Sequence, residues 1–120
     1  PAIPDEQVTP EEYAANLESM IGKVKGAVKG IFLLTPYYME PNREDLMRAR
    51  MDEYCRICRE LAEKHGCILV DFQEMYERFC RVRHSSCIAW DRVHPNQMGA
   101  TLMAMEFLDH CGFDYTRRAF

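Results

Sequence analysis

Asp91 and His94, three positions apart in Trp90-Asp91-Arg92-Val93-His94-Pro95-Asn96, are the pair in this sequence best suited to acid–base work. A carboxylate that close to an imidazole can accept a hydrogen bond from Nδ1–H, which fixes the tautomer and leaves Nε2 to take up a proton. Pro95 disfavours helical backbone at His94, so the histidine is expected to be held extended at the mouth of the helix that follows. Spacing alone leaves other roles open, with Asp91 as a loop or capping carboxylate and His94 as a surface histidine. Trp90 reads chiefly as a packing residue flanking the site, and secondarily as a substrate platform. Tyr37 and Tyr38 follow a strand end, where α/β folds bind ligands, and are candidates either for lining a pocket or for core and rim packing. The serines offer little: Ser19 lies in mid-helix, and Ser85 and Ser86 sit in a polar loop with nothing resembling a strained nucleophile turn. His65 near a helix end suits the helix dipole, while His84 and His110 read as surface residues.

The frame that must hold these residues reads as alternating helices and strands. Thr9-Pro10-Glu11-Glu12 is a helix start, with Thr9 as N-cap, Pro10 at the first helical position and Glu12 completing a capping box. Tyr13, Leu17, Met20, Ile21 and Val24 then give one apolar helical face. Ile31–Leu34 and Cys67–Val70 are continuous apolar runs, the pattern of strands covered on both faces. A long helix is predicted from about Glu44 to His65, with Leu46, Met47, Met51, Tyr54, Ile57, Cys58 and Leu61 inward and Gly66 as its stop. A short helix carries Phe72, Met75, Tyr76 and Phe79. The last helix, from about Asn96 to His110, presents Met98, Leu102, Met105 and Leu108. Buried strands alternating with amphipathic helices indicate a parallel sheet in a layered α/β fold.

Composition removes several function classes. At 120 residues with 48% hydrophobic and 28% charged side chains, the chain is an ordinary globular domain at most. A net charge of −4, with scattered Lys and Arg, carries no nucleic-acid footprint. No apolar run approaches the ~18 residues of a membrane span. Cys55 and Cys58 form a C-x-x-C, but inside a helical stretch and without a second pair at zinc spacing; Cys67 and Cys80 sit at apolar positions. The cysteines therefore read as reduced core thiols of a cytoplasmic protein rather than as a disulfide framework.

Two parallel strands are too little sheet for these helices, so residues 1–120 are expected to be part of a larger domain, and the loop-like composition at Pro1 agrees. Asp91-Arg92-Val93-His94-Pro95-Asn96-Gln97-Met98-Gly99-Ala100 resembles the last motif of the SGNH, or GDSL-type, hydrolases. Leu33-Leu34-Thr35-Pro36, the long charged helix and Ile68-Leu69-Val70-Asp71 are similar to that family's stretch between its third and final motifs. The resemblance implies a three-layer α/β/α flavodoxin-like fold, of which this chain is the C-terminal part, with Asp91 and His94 as acid and base of a Ser-His-Asp triad. It implies hydrolysis of small acyl esters, acetylated sugars included, without metal or cofactor.

The family's Gly-Asp-Ser nucleophile segment and its Gly-x-Asn-Asp oxyanion motif are both absent from this sequence; Asn16, Asn42 and Asn96 stand in other contexts. The expected partner is therefore the missing N-terminal half or a second copy, besides the ester itself, with no nucleic acid and no membrane. Two other readings remain: a metal-assisted phosphoesterase using Asp91, His94 and Asp71 or His84, and a non-catalytic interaction half.

Overall fold

A computed structural model describes residues 7–115; Pro1 lies outside them. Its elements are helix α1 (Pro10–Val24), strand β1 (Phe32–Leu34), helix α2 (Leu46–His65), strand β2 (Ile68–Val70), helix α3 (Phe72–Cys80) and helix α4 (Gln97–His110). A single 3-10 turn at Ser85–Cys87 precedes the loop that carries Asp91.

Local sequence sets the boundaries. Thr9 caps α1 in a full capping box: its hydroxyl accepts from Glu12 N–H at 3.2 Å, and Glu12 Oε2 accepts from Thr9 N–H at 2.8 Å. Asp45 caps α2, and Gly66 ends it in the left-handed conformation at φ 66°, which a residue lacking Cβ adopts without penalty.

The strands pair in parallel, with Leu33 opposite Leu69 and Leu34 opposite Val70. Side chains alternate across a strand, so the sheet has two distinct faces. Leu33 and Leu69 join Ile21, Ile57, Cys58, Leu61 and Ala62 on the side of α1 and α2. Val70 joins Met39, Phe72, Met75, Tyr76 and Ile88 on the side of α3 and α4. The result is helix, sheet, helix in three layers.

Three expectations about packing are corrected. The strands are not covered on both faces among the described residues: Phe32, Leu34 and Ile68 stay 37%, 41% and 41% exposed. On that face Val70 alone is fully buried, and α4 brings the Phe107 ring to Phe32 at 5.0 Å between centroids. The inner face of α2 excludes Leu46 and Met47, which are exposed, and includes Arg48 and Cys55, which are buried. Ion pairing makes the difference, because Arg48 is held by Asp52 at 2.8 Å and by Glu77. In α4, Met98 and Met105 are exposed, and the helix packs inward through Leu102, Met103 and Phe107 instead. It is apolar all round, so periodicity could not choose its face.

The C-x-x-C is structural here. Cys55 Sγ–H donates to Pro36 O at 3.1 Å and Cys58 Sγ–H to Leu34 O at 3.4 Å. Burial pushes these thiols up to about 12 and about 11, so neither is a thiolate near neutral pH. The described cysteines are all free. No helix among the described residues is long and apolar enough to cross a membrane.

Candidate active site

Asp91 and His94 meet in a tight turn between Ile88 and the N-terminus of α4. Asp91 Oδ1 accepts the backbone N–H groups of Val93 at 3.0 Å and His94 at 2.8 Å. Its Oδ2 accepts from His94 Nδ1 at 2.6 Å, within the reach expected from the sequence. With Nδ1 engaged, the proton-accepting nitrogen is Nε2, on a ring that is 83% exposed. The imidazole and the two backbone donors hold the Asp91 carboxyl well below the usual carboxylate range. It stays ionised, as an orienting group beside a base must.

The turn is fixed to the fold from both ends. Asn96 caps α4, its Oδ1 accepting from Gly99 N–H at 3.0 Å, while its amide donates to Cys87 O at 2.9 Å and its backbone N–H to Ile88 O at 2.7 Å. Gly99 approaches so closely that a Cβ there would lie 2.7 Å from Ile88 O and 2.8 Å from Pro95 Cβ. In the middle, Met39 N–H donates to Arg92 O at 2.9 Å. The Arg92 side chain is also held by the fold. Its guanidinium pairs with Glu40, and its Cζ lies 5.5 Å from the Tyr38 ring centroid.

The segment that receives Arg92 is itself held from below, by Gln73 and Arg48, which the sequence did not single out, and by contacts at Asp71. Gln73, 1% exposed, accepts Tyr38 N–H at 2.7 Å and donates to Tyr38 O at 3.1 Å, imitating a strand pair. Arg48 donates to Glu40 O. Asp71 caps α3 through Glu74 N–H at 3.0 Å, accepts from the Thr35 hydroxyl at 3.2 Å and pairs with Arg59 at 2.7 Å. A polar residue on the inward face of a short helix was the only sign of Gln73 in the sequence.

The other candidates are spread around this centre. Trp90 is 85% exposed rather than packed, because Ile88 and Ala89 just before it fill the core position. It lines an open cleft of about 340 Å³ with Glu40, Pro41, His84, Ser86 and Arg92. Tyr38 borders a second hollow of about 230 Å³, together with Glu40, Arg48, Gln73 and Glu77. Asp91 and His94 line neither hollow. Tyr37 packs on the Tyr76 ring at 5.0 Å as part of the core.

Ser85 is buried, and the Ser86 hydroxyl lies 2.8 Å from His84 Nδ1 on the surface. His65, in the last turn of α2, lies 2.9 Å from Glu18 through Nε2, and His110 Nδ1 lies 2.8 Å from Glu106 O. Asp71 is committed to Arg59 and the α3 cap, and among the described residues no three His, Cys, Asp or Glu side chains converge as a metal site would require.

A family model described as GDSL-like Lipase/Acylhydrolase matches residues 4–107. An acetylxylan esterase of Geobacillus stearothermophilus is 38% identical over 117 residues, which is 98% of this chain and 53% of that protein. The chain thus spans about half the length of the curated relative it matches. An alpha/beta hydrolase enzyme from the metagenome of Lake Arreo, Spain, superposes with a TM-score of 0.89 at 47% identity, over 93% of this chain and 51% of its own. Two structures described as catalytic mutants of the Geobacillus esterase, one altered at an aspartate and one at the histidine three positions later, each superpose with a TM-score of 0.90, at 37% and 36% identity, over 95% and 97% of this chain and 52% of theirs.

Proposed function

The chain belongs to the GDSL-like lipase/acylhydrolase family, and on that premise we propose that it supplies the acid and base of a serine ester hydrolase whose nucleophile lies outside these 120 residues. The observation that carries this reading is the 2.6 Å contact of His94 Nδ1 with Asp91, on a carboxylate that also takes two backbone N–H groups. That arrangement holds the imidazole in one tautomer and one orientation, with Nε2 facing outward.

In this mechanism a serine oxygen attacks the ester carbonyl carbon while His94 Nε2 takes the hydroxyl proton. The imidazolium gives that proton to the leaving alcohol as the C–O bond breaks. Water then repeats the cycle on the acyl-enzyme, and the acid is released. Asp91 stabilises the imidazolium in both halves without accepting its proton. The oxyanion donors, often the largest single contribution, come from the same outside segment as the serine. That segment, or a second copy, also covers Phe32, Leu34, Ile68, Met98 and Met105, which this chain leaves exposed. Small acyl esters are the proposed substrates, acetylated xylooligosaccharides first among them, because a solved structure at 38% identity is described as an acetyl-xylooligosaccharide esterase.

The test is ester turnover by the full encoded polypeptide on an aryl acetate and on acetylated xylooligosaccharides. His94→Ala should lose several orders of magnitude in kcat, and Asp91→Asn up to ~10⁴, because the amide permits the wrong tautomer. A His94→Ala protein with near-wild-type turnover overturns the reading.

A further inference from the structure

Arg92 separates the acid from the base, and its backbone is unusual: φ is 67°, the single left-handed non-glycine among the described residues. That region is disfavoured for any side chain with a Cβ, and glycine or asparagine would enter it more easily. The left-handed step is what turns the chain so that Val93 N–H and His94 N–H both reach Asp91 Oδ1 and the His94 ring reaches Oδ2. A local turn of this kind brings Asp91 within reach of His94, but a turn at the surface opens and closes unless something holds it. The turn alone does not fix either of them relative to the sheet.

The side chain does that second job. Its guanidinium pairs with Glu40 Oε2 and lies over the Tyr38 ring, while its carbonyl takes Met39 N–H at 2.9 Å. Three consecutive residues after β1 thus grip one residue of the turn. Glu40 is preset for the role: its Oε1 accepts Asn42 N–H at 2.9 Å, its carbonyl is held by Arg48, and its carboxyl is kept below the usual range chiefly by the Asn42 amide, with Arg92 adding to it. Tyr38 is preset by Gln73. The anchor is thus tied to α2 and α3 through Arg48 and Gln73, and the guanidinium, planar and delocalised, can both stack and pair, which an ammonium cannot do equally well.

We propose that Arg92 is a positioning residue that clamps the Asp91–His94 turn onto the segment after β1 through Glu40 and Tyr38, so that turnover depends on it although its guanidinium is engaged by Glu40 rather than by the imidazole. The proposal rests on the esterase reading for its effect on turnover, but its structural content can be tested apart from it. Misplacing a base by about an ångström can cost ~10²-fold in rate.

The experiment uses the full encoded polypeptide and the variants Arg92→Ala, Arg92→Gly, Arg92→Lys and Glu40→Gln. Two readouts are taken: kcat and KM on an aryl acetate, and the downfield proton resonance of His94 Nδ1–H. Arg92→Ala and Arg92→Gly should each lose ~10–100-fold in kcat with KM within about twofold, and their downfield resonance should broaden or vanish. Arg92→Gly is the decisive form, because it removes the clamp while relieving the backbone, so poor folding cannot explain its loss. Arg92→Lys should recover part of both signals, and Glu40→Gln should resemble Arg92→Ala more mildly. Wild-type kcat and an intact resonance in Arg92→Gly overturn the proposal. If His94→Ala also keeps full turnover, the esterase reading has failed, and the resonance alone then decides: lost in Arg92→Gly, the clamp stands; intact, it falls.

Discussion

Gly99 offers the sharpest test of how the site is held. A methyl group there would meet Ile88 O at 2.7 Å and Pro95 Cβ at 2.8 Å. Carbon atoms settle at ~3.5–4.0 Å, so α4 or the loop must retreat by roughly 0.7 Å. Neither neighbour yields easily. Ile88 is fully buried, and its carbonyl already accepts Asn96 N–H at 2.7 Å; Pro95 is a ring. Gly99 O is itself tied to the Tyr76 hydroxyl at 3.2 Å. Overpacking of this kind costs ~1–3 kcal/mol, and alanine returns ~0.5–1 kcal/mol in helix propensity, which leaves a net destabilisation of about 1 kcal/mol.

Ile88 and Pro95 also bound the turn carrying Asp91 and His94, so the same shift should lower kcat by ~10-fold or more. Urea unfolding and aryl-acetate turnover of the full encoded polypeptide measure the two effects. Gly22 in α1 is the control, because a Cβ there meets nothing within 4 Å. Gly22→Ala should stabilise by ~0.5–1 kcal/mol and leave turnover alone. If Gly99→Ala proves as stable and as active as Gly22→Ala, the close approach does not hold the site and the reasoning fails.

Acid should weaken the fold through Asp71. Burial alone would raise its carboxyl, but the Arg59 pair, the Glu74 N–H and the Thr35 hydroxyl together bring it below the ordinary 3.8. A carboxyl depressed in the folded state contributes stability above about pH 3.8 that is lost as pH falls toward its lower folded value. Asp71→Asn should therefore be less stable at neutral pH and show a shallower decline below pH ~4 in acid unfolding followed by circular dichroism; an unchanged acid limb would sink this account. Thiol labelling should separate the cysteines: Cys87 and Cys111 are exposed and should react at once, while Cys55 and Cys58 should wait for unfolding. Fast labelling of all the thiols in native protein would refute the buried assignment.

Local rules carried much of the fold. The capping box at Thr9, the stop at Gly66 and the two apolar triplets depend on residues within a few positions of one another, and each element lies within two residues of where the sequence places it. Asp91 and His94 are legible for the same reason, being three apart and followed by a proline. What the sequence hid is the partner at long range. Arg48 sits at a position that periodicity reads as polar surface, yet it is buried because Glu77, 29 residues away, neutralises it. Gln73 and Glu40 look like ordinary polar residues until Tyr38 and Arg92 are beside them. Trp90 misleads in the opposite sense, since a large aromatic usually packs, and here it is left to solvent.

These long-range ties share a direction that bears on mechanism. Parallel pairing puts the C-terminal ends of β1 and β2 side by side, so Thr35 and Asp71 can bridge them directly. From that seam Gln73 fixes Tyr38, Arg48 fixes Glu40, and both together fix Arg92. Asp91 and His94 hang from the far end of this chain of contacts, the first partly covered and the second exposed. Substitutions early in the chain, at Arg48 or Gln73, remove a buried hydrogen-bonding group and should weaken folding and turnover together. Substitution at its end, at Arg92, removes a guanidinium that is 44% exposed and contributes little to stability, so its effect should fall on turnover. The order of contacts from sheet to imidazole thus separates residues that hold the domain from residues that, on the proposed mechanism, aim the base.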